Sequence, residues 1–381
     1  MIKELITQKE KKVEYVELIY DLIFVYIIGR NNTLLQTVTG GFIDGGKFMA
    51  YIISTLAVIQ IWNYTTYYIN IYGRNGIRDH VFLFINMLLI YFMAEGVNEN
   101  WATYQYHIAW SLILVNIGVQ YVIELRNHKS DEYALRRIRR LMLTLFGEAA
   151  IVLLVLPFYG QTVSAVVSAA AILFGIVSTT LAGRKNCACS GGVDFAHLTE
   201  RAMLYVVFTF GEMIIVTASY FEGGFSANGA YFAVMAFLIV VGLFLSYEVM
   251  YDRIIDREMQ SNGLHYMFIH IILIFSLNNI TAALEFMRNT EVQLIPKTLF
   301  LIFSFLLYYA SLISLGRYSK LTCVRNKKFY AVMCALAVSF TALMLLMREI
   351  MWANILISVI YIFAAVAVIY FSWKRADCKI K

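Results

Sequence analysis

Twelve apolar stretches, each long enough to cross a bilayer, follow one another along the 381-residue chain. A helix of about twenty residues spans the hydrocarbon core of a membrane. Hydrophobic residues make up 60% of the sequence and charged residues only 15%. So little polar surface excludes a soluble domain of this length. The sequence therefore predicts an all-α polytopic membrane protein, with about twelve transmembrane helices in one bundle.

The predicted spans are joined by short loops, and no long soluble segment interrupts them. They fall near residues 15–33, 48–70, 80–97, 105–125, 138–158, 162–182, 197–220, 229–251, 264–286, 295–315, 329–347 and 352–373. We expect a single transmembrane domain over residues 1–381, made of a short basic N-terminus (1–13), the helical bundle (14–373) and a basic tail (374–381).

Basic residues predict the orientation of the bundle. Of the 31 Lys and Arg residues, 25 fall on the side that holds both termini in this map, and five on the opposite side. Lys and Arg are enriched in cytoplasmic loops. We therefore expect both termini in the cytoplasm. The formal net charge of +6 comes from these span-end positions, so the expected partner is the lipid bilayer, and no nucleic acid is expected.

The first and seventh predicted spans carry charged residues, each of which costs about 3 kcal/mol if it faces lipid. Glu17 and Asp21 are four residues apart and share one face of the first span. His197 and Arg201 share a face of the seventh span at a similar predicted depth. We expect one of the two carboxylates to accept a hydrogen bond or salt bridge from the seventh span, in a polar layer on the cytoplasmic side.

Two more side chains are assigned to this polar layer. Glu200 precedes Arg201, and Asn70 lies at the cytoplasmic end of the second span. A carboxamide can donate to a carboxylate or to a backbone carbonyl. The aromatic residues around Asn70 favour an interfacial belt. They are Trp62, Tyr64, Tyr67, Tyr68 and Tyr72.

Three segments resemble the bacterial low temperature requirement A family, whose pattern combines an acidic E-L-F-F/Y-D-L-V-F-V opening, a tryptophan followed by T-x-Y-x-N, and H-L-x-E-R before a helix ending in G-E. The matching positions are Glu17, Leu18, Tyr20, Asp21, Phe24, Val25, Trp62, Asn70, His197, Glu200, Arg201, Gly211 and Glu212. Ile19 and Met213 depart from the pattern. The resemblance implies a multi-pass protein of the bacterial plasma membrane (the inner membrane), and it brings no known chemistry.

Two acids are predicted to be buried deep in the membrane. Glu148 and Glu212 each end the tripeptide Phe-Gly-Glu, and each follows an arginine by eleven residues, Arg137 and Arg201. Eleven residues of helix span about 16 Å, which is too far for direct pairing. We expect the glycine before each acid to allow close approach of a neighbouring helix. Whether the two segments are a duplication or a coincidence stays open.

The ninth span carries polar residues at several depths. His270 lies toward its cytoplasmic end, Asn278 near its middle and Glu285 at its far end. For His270 we favour a packed, hydrogen-bonded ring. Polar groups at successive depths in one span also indicate a hydrated path.

No motif for a cofactor or a metal is present. The sequence lacks a Walker loop, a dinucleotide fingerprint and a zinc-protease motif. Cys187 and Cys189 with His197 fall short of a zinc pattern. No nucleophile and base pair emerges either, so we expect no enzyme and no cofactor.

Three function classes remain open. In a secondary transporter of an unknown small solute or ion, coupled to protons or ions, the acids Glu148 and Glu212 would exchange protons or cations. The cytoplasmic layer, with Asp21 and Arg201, would then form a gate. A channel, or a non-transporting membrane-maintenance or lipid-handling factor, fits the same residues. We favour the transporter because the sequence has titratable groups deep in its predicted spans and no nucleotide-binding motif.

Overall fold

The computed structural model describes residues 12–36, 38–97, 103–128, 132–158, 162–184, 193–218, 226–289, 291–320 and 327–380. Their α-helices are α1 (Tyr15–Asn32), α2 (Gly45–Tyr72), α3 (Ile77–Glu95), α4 (Tyr104–Asn127), α5 (Glu132–Leu153), α6 (Thr162–Arg184), α7 (Phe195–Thr217), α8 (Ala227–Glu248), α9 (Leu264–Arg288), α10 (Leu294–Ser314), α11 (Lys327–Leu346) and α12 (Met351–Ile380). Each predicted span corresponds to one of these helices, and the all-α polytopic fold is confirmed.

Ten of these helices are long and apolar enough to cross a membrane by length and composition. The other two, α1 and α7, each contain three charged residues. These two helices carry the charged residues of the predicted polar layer. Charges inside a span need shielding from lipid, so the position of α1 and α7 in the bundle decides how they are accommodated.

Four helices form the centre of the bundle, because α1, α2, α7 and α9 are each in contact with the other three. We call these four helices the central unit. On one side α3, α4, α5 and α6 pack in sequence order. On the other side α8 packs against α7 and α10 against α9, while α12 packs on α8 and α11 on α10 and α12. The most apolar window of α9 is 78% buried, whereas that of α11 is 22% buried. Most side chains of α9 are thus covered by protein.

Short irregular segments complete the fold. Between α1 and α2, the strands β1 (Val38–Thr39) and β2 (Phe42–Ile43) form an antiparallel hairpin. Its turn residues Gly40 and Gly41 have φ angles of +63° and +88°, a region that glycine adopts without strain. The backbone N–H of Gln293 donates to the Gly41 carbonyl at 2.7 Å, which fixes the hairpin against the start of α10.

An N-cap sets where α7 begins. The carboxylate of Asp194 accepts a hydrogen bond from the backbone N–H of His197 at 3.0 Å, as N-cap aspartates commonly do. Helix α7 then runs without a proline or an internal break to Thr217. This start places His197 and Arg201 one turn apart on the same face, toward α1 and α2.

Candidate functional site: an ion-pair cluster below an acidic cavity

Arg201 is the centre of a buried ion-pair cluster that we define as Glu17, Asp21, His197 and Arg201. Its Nε donates to Asp21 Oδ2 at 3.1 Å and its Nη2 to Asp21 Oδ1 at 2.5 Å. Its Nη1 donates to Glu17 Oε2. Arg201 and Asp21 are fully buried, and Glu17 is 3% exposed. The sequence predicted a partner for one carboxylate, and in the structure Arg201 binds both.

His197 and Asn70 extend the cluster to α2. The Asn70 amide Nδ2 lies 3.1 Å from His197 Nδ1 and donates to the Asp194 carbonyl at 2.8 Å. The Asn70 side-chain oxygen accepts the Asp194 backbone N–H at 3.0 Å. If Nδ1 accepts from Asn70, the ring proton is on Nε2, which lies 3.4 Å from Glu17 Oε2. Asn70 therefore ties the end of α2 to the start of α7.

Rings from three helices lie next to the cluster. Trp62 Nε1 donates to Asp21 Oδ1 at 2.9 Å. The Tyr205 ring centroid lies 4.5 Å from that of Trp62 and 6.2 Å from that of Phe24, and all three side chains are fully buried. Water is thereby excluded from this layer, where electrostatic interactions between charged groups are strong.

The predicted interfacial belt on α2 is wrong for most of its members. Trp62, Tyr64, Tyr68 and Tyr72 are all buried. The reason is the position of α2, which contacts α1, α4, α6, α7 and α9, so its aromatic rings meet protein where a belt would meet lipid headgroups. Only Tyr67 is partly exposed, and its hydroxyl donates to the Asn262 carbonyl at 3.1 Å.

The charges of the cluster constrain its chemistry. It contains two carboxyl groups and one guanidinium, with the His197 ring beside the Glu17 carboxyl. Removing one partner of a buried ion pair leaves an uncompensated charge, which is strongly destabilising. The arrangement joins α1, α2 and α7 at the end of the bundle for which the basic residues predict a cytoplasmic location.

An acidic cavity lies at the opposite end of the central unit. Its volume is about 420 Å³. Described residues with polar side chains that line it are Asn32, Gln36, Glu212, Thr281 and Glu285. Gln36 Nε2 donates to Glu285 at 3.2 Å. Glu212 is partly buried, and eleven residues, or about 16 Å of helix, separate it from Arg201.

Of the two glycines that the sequence suggested, Gly147 lies close to a neighbouring helix and Gly211 does not. Gly211 has no atom of a neighbouring element within 4 Å of where a Cβ would be, so the expectation of close approach there is wrong. The close neighbour of Glu212 is Gly29 of α1, where a Cβ would lie 2.7 Å from Glu212 Oε1. Gly147 faces the ring of Phe174 at 3.1 Å.

Glu148 lies apart from the central cavity, in a closed pocket between α2, α5 and α6. Its Oε2 accepts hydrogen bonds from Tyr64 Oη at 2.6 Å and from Gln60 Nε2 at 3.4 Å. Its Oε1 has no hydrogen-bond partner among the described residues. Gly175 of α6 faces all three side chains, and a Cβ there would overlap each of them. We call these four residues the Glu148 pocket.

The remaining predicted residues do not join the cluster. Glu200 is partly buried, and within the described part of the chain it makes no ion pair or hydrogen bond. His270 packs as expected for a structural ring, with Nε2 3.0 Å from Tyr247 Oη and Nδ1 2.9 Å from the Tyr266 carbonyl. Asn278 is buried, and its Nδ2 has no partner among the residues described.

Some interacting residues were missed from the sequence. Arg78 donates to Glu124 at 2.8 Å and to Asp79 at 3.0 Å, and Glu124 is fully buried. These residues lie at span ends, where charges are usually solvated. Gln60 and Tyr64 were also missed as a pair, although their i, i+4 spacing in an apolar helix was a usable signal.

Within the described ranges, no group of three His, Cys, Asp or Glu residues is placed to hold a metal ion. Cys187 and Cys189 lie outside the described residues.

Comparison with curated proteins and with solved structures gives no match. The sequence model of one family, described as bacterial low temperature requirement A protein (LtrA), matches residues 12–368. That range holds the ion-pair cluster, the acidic cavity and the Glu148 pocket. A match over nearly the whole chain agrees with the three motifs in α1, α2 and α7. The chain therefore belongs to the bacterial low temperature requirement A (LtrA) family.

Proposed function

We propose that this protein is a secondary transporter of the bacterial plasma membrane that carries a small cation through the central unit. The observation that supports it most is the acidic cavity, with Glu212 and Glu285 at one end of the central unit and the ion-pair cluster at the other. Transporter sites lie between helices near the middle of the bilayer and open to one side at a time. A cavity above a closed polar layer corresponds to one of these two states.

The lining of the cavity favours a cationic solute. Two carboxylic acids and the amides of Asn32 and Gln36 supply oxygen atoms, and no Lys or Arg is among the described residues that line it. Asn32 is 9% exposed, and both polar atoms of its side chain lack a partner among those residues. A buried amide without hydrogen bonds costs free energy, and a bound cation or its hydration water would offset that cost.

The ion-pair cluster acts in this proposal as the cytoplasmic gate. Opening a path past α1, α2 and α7 requires Arg201 to separate from Asp21 and Glu17. Each carboxylate would then need another positive partner, and a proton or the transported cation is the available one. This exchange of partners would link opening of the gate to occupancy by a cation.

Flux into proteoliposomes tests the proposal. Purified protein would be reconstituted into vesicles that enclose a pH-sensitive dye. Gradients of Na⁺, K⁺ and choline would then be imposed across the vesicle membrane in turn. We expect saturable movement of at least one cation, with countertransport. We expect Glu212→Gln to abolish it while leaving expression and folding intact. Glu132→Gln is the control, since Glu132 is exposed on α5.

Two results would overturn the proposal. Absence of flux for every imposed cation would favour the non-transporting, membrane-maintenance alternative. Flux without saturation or countertransport would favour a channel. Full activity in Glu212→Gln would remove that residue from the cation path.

A further inference from the structure

The Glu148 pocket holds an acid that the cavity and the gate do not use. Glu148 is fully buried. No Lys, Arg or His of the described chain lies within ion-pair distance of it, and Tyr64 is the titratable group in contact with it. Burying an ionised carboxylate without a positive partner is far more costly than burying the neutral acid.

The hydrogen bonds of the pocket leave one oxygen of the Glu148 carboxyl group open to carry a proton. Glu148 Oε2 already accepts from Tyr64 and Gln60, whereas Oε1 accepts from no described residue. The side-chain oxygen of Gln60 also lacks a partner in the described chain. A carboxylic acid carries its proton on one oxygen, and Oε1 is the oxygen of Glu148 that is not already accepting from a described residue.

The shape of the pocket argues against a metal cation at this position. At Gly175 even a methyl group would overlap Gln60, Tyr64 and Glu148, so a sodium-sized ion with its ligand shell has no room. The Gln60 amide nitrogen also points at Tyr64 Oη, Glu148 Oε2 and the Ile172 carbonyl. A cation placed among these oxygens would meet that N–H₂ group. A proton needs no added volume.

Helix α2 connects the pocket to the gate. Gln60 and Tyr64 lie one turn apart on one face of α2, and Trp62 lies between them in sequence, about 200° around the helix. Trp62 donates from that opposite face to Asp21 of the ion-pair cluster. A change in the contacts of Glu148 therefore acts on the turn of α2 that contains Trp62, the hydrogen-bond donor to Asp21 of α1.

We propose that Glu148 is the site that binds and releases the coupling proton, and that α2 transmits its occupancy to the gate. The proton adds to Oε1 of the carboxylate to give the neutral acid, and on release it returns to water when α2 or α6 moves. The use of this proton for coupling rests on the proposed transport function, but the proton site itself does not.

Infrared difference spectroscopy on a pH step tests the proton site without any transport assay. We expect the reconstituted wild type to show the C=O stretching band of a protonated carboxylic acid at neutral pH and to lose it at alkaline pH. Glu148→Gln should fold, because glutamine resembles the neutral acid, and it should lack this band. Glu132→Gln, on the exposed start of the same helix, should keep it.

The same variants separate the proton site from its coupling role. In proteoliposomes, Glu148→Gln should still exchange cation between the two sides, whereas cation uptake should no longer be accelerated by an imposed pH gradient. An unchanged band in Glu148→Gln would overturn the proton site. So would loss of the wild-type band on adding Na⁺ at constant pH, because that would identify a metal-ion site. Wild-type acceleration by the pH gradient in Glu148→Gln would overturn the coupling role alone.

Discussion

Helices α5 and α7 carry the same sequence pattern, an arginine followed eleven residues later by the glutamate of Phe-Gly-Glu. The surroundings of the two charged residues differ between the two helices. In α7, Arg201 is fully buried in the ion-pair cluster and Glu212 lies in an open cavity. In α5, Arg137 lies near the end of the helix with its guanidinium carbon 5.4 Å from the centre of the Tyr72 ring. In α5 the fully buried residue is the glutamate, Glu148.

The difference shows that the position of a helix in the bundle decides what its charges do. Helix α7 belongs to the central unit, where α1 supplies two carboxylates to Arg201 and leaves an open space beside Glu212. Helix α5 flanks the unit and packs between α4 and α6, and side chains of α2 together with Gly175 of α6 close over Glu148. One pattern thus yields an ion-paired arginine with an accessible acid in α7, and a buried acid without an ion pair in the described chain in α5.

The largest expected effect is the contrast between the two arginines. Arg201→Ala leaves two buried carboxylates without their cation, and we expect a loss of about 3–5 kcal/mol in the free energy of unfolding. Arg137→Ala removes a cation–π contact and two hydrogen bonds to the Tyr72 hydroxyl on a partly exposed side chain, and we expect the smaller loss of about 1–2 kcal/mol. Denaturant unfolding in detergent micelles measures both. Equal losses would contradict the assignment of Arg201 to a buried cluster.

A smaller contrast concerns two fully buried tryptophans. Trp62→Phe removes the donor to Asp21, and a hydrogen bond to a charged group is worth about 1.5–3 kcal/mol. The control is Trp110→Phe in α4, because Trp110 Nε1 has no partner among the described residues. The control variant loses the same ring volume as Trp62→Phe but loses no hydrogen bond to a described residue. Thermal unfolding of the two variants should differ, with Trp62→Phe unfolding at the lower temperature. Identical shifts would argue against the hydrogen bond.

The smallest contrast uses the glycines that face the two acids. Gly175→Ala would overpack the closed Glu148 pocket, at a cost of about 1–3 kcal/mol. At Gly29 a Cβ meets only the end of the Glu212 side chain, which can swing into the cavity. Gly29→Ala should therefore cost less than Gly175→Ala in the same unfolding assay. The reverse order would mean that the cavity beside Glu212 is closed in the folded protein.

The sequence predicted the fold closely, since hydropathy and the distribution of basic residues depend on the membrane more than on neighbouring helices. The predicted seventh span at 197–220 corresponds to α7 at Phe195–Thr217. The largest departure is α12, which continues to Ile380, past the predicted end of the bundle at residue 373. Alanine, lysine and arginine in that stretch are good helix formers, so the helix extends beyond its apolar part.

The sites were harder to predict because they depend on which helices meet. Spacing on one helix placed Glu17 and Asp21 on a common face, and depth suggested Arg201 as a partner. No pattern within one helix could show that Gly29 and Gly175 face Glu212 and Glu148, since these contacts join helices that are distant in sequence. The roles of all these residues in transport stay predictions.

The central claim is that the acidic cavity opens to the outer side of the membrane above a closed cytoplasmic gate. Its most direct test is labelling of single cysteines on α7, introduced after the five native cysteines are replaced. Val216 lines the cavity, and Val206, between Arg201 and Glu212 on the same helix, is fully buried. Both variants would be treated with a membrane-impermeant thiol reagent in right-side-out and inside-out vesicles.

We predict that Val216→Cys reacts in right-side-out vesicles and is protected in inside-out vesicles. Val206→Cys should stay unlabelled from either side. Labelling of Val216→Cys from the cytoplasmic side alone, or equal labelling of the two cysteines, would contradict a cavity that is open outward above a closed gate.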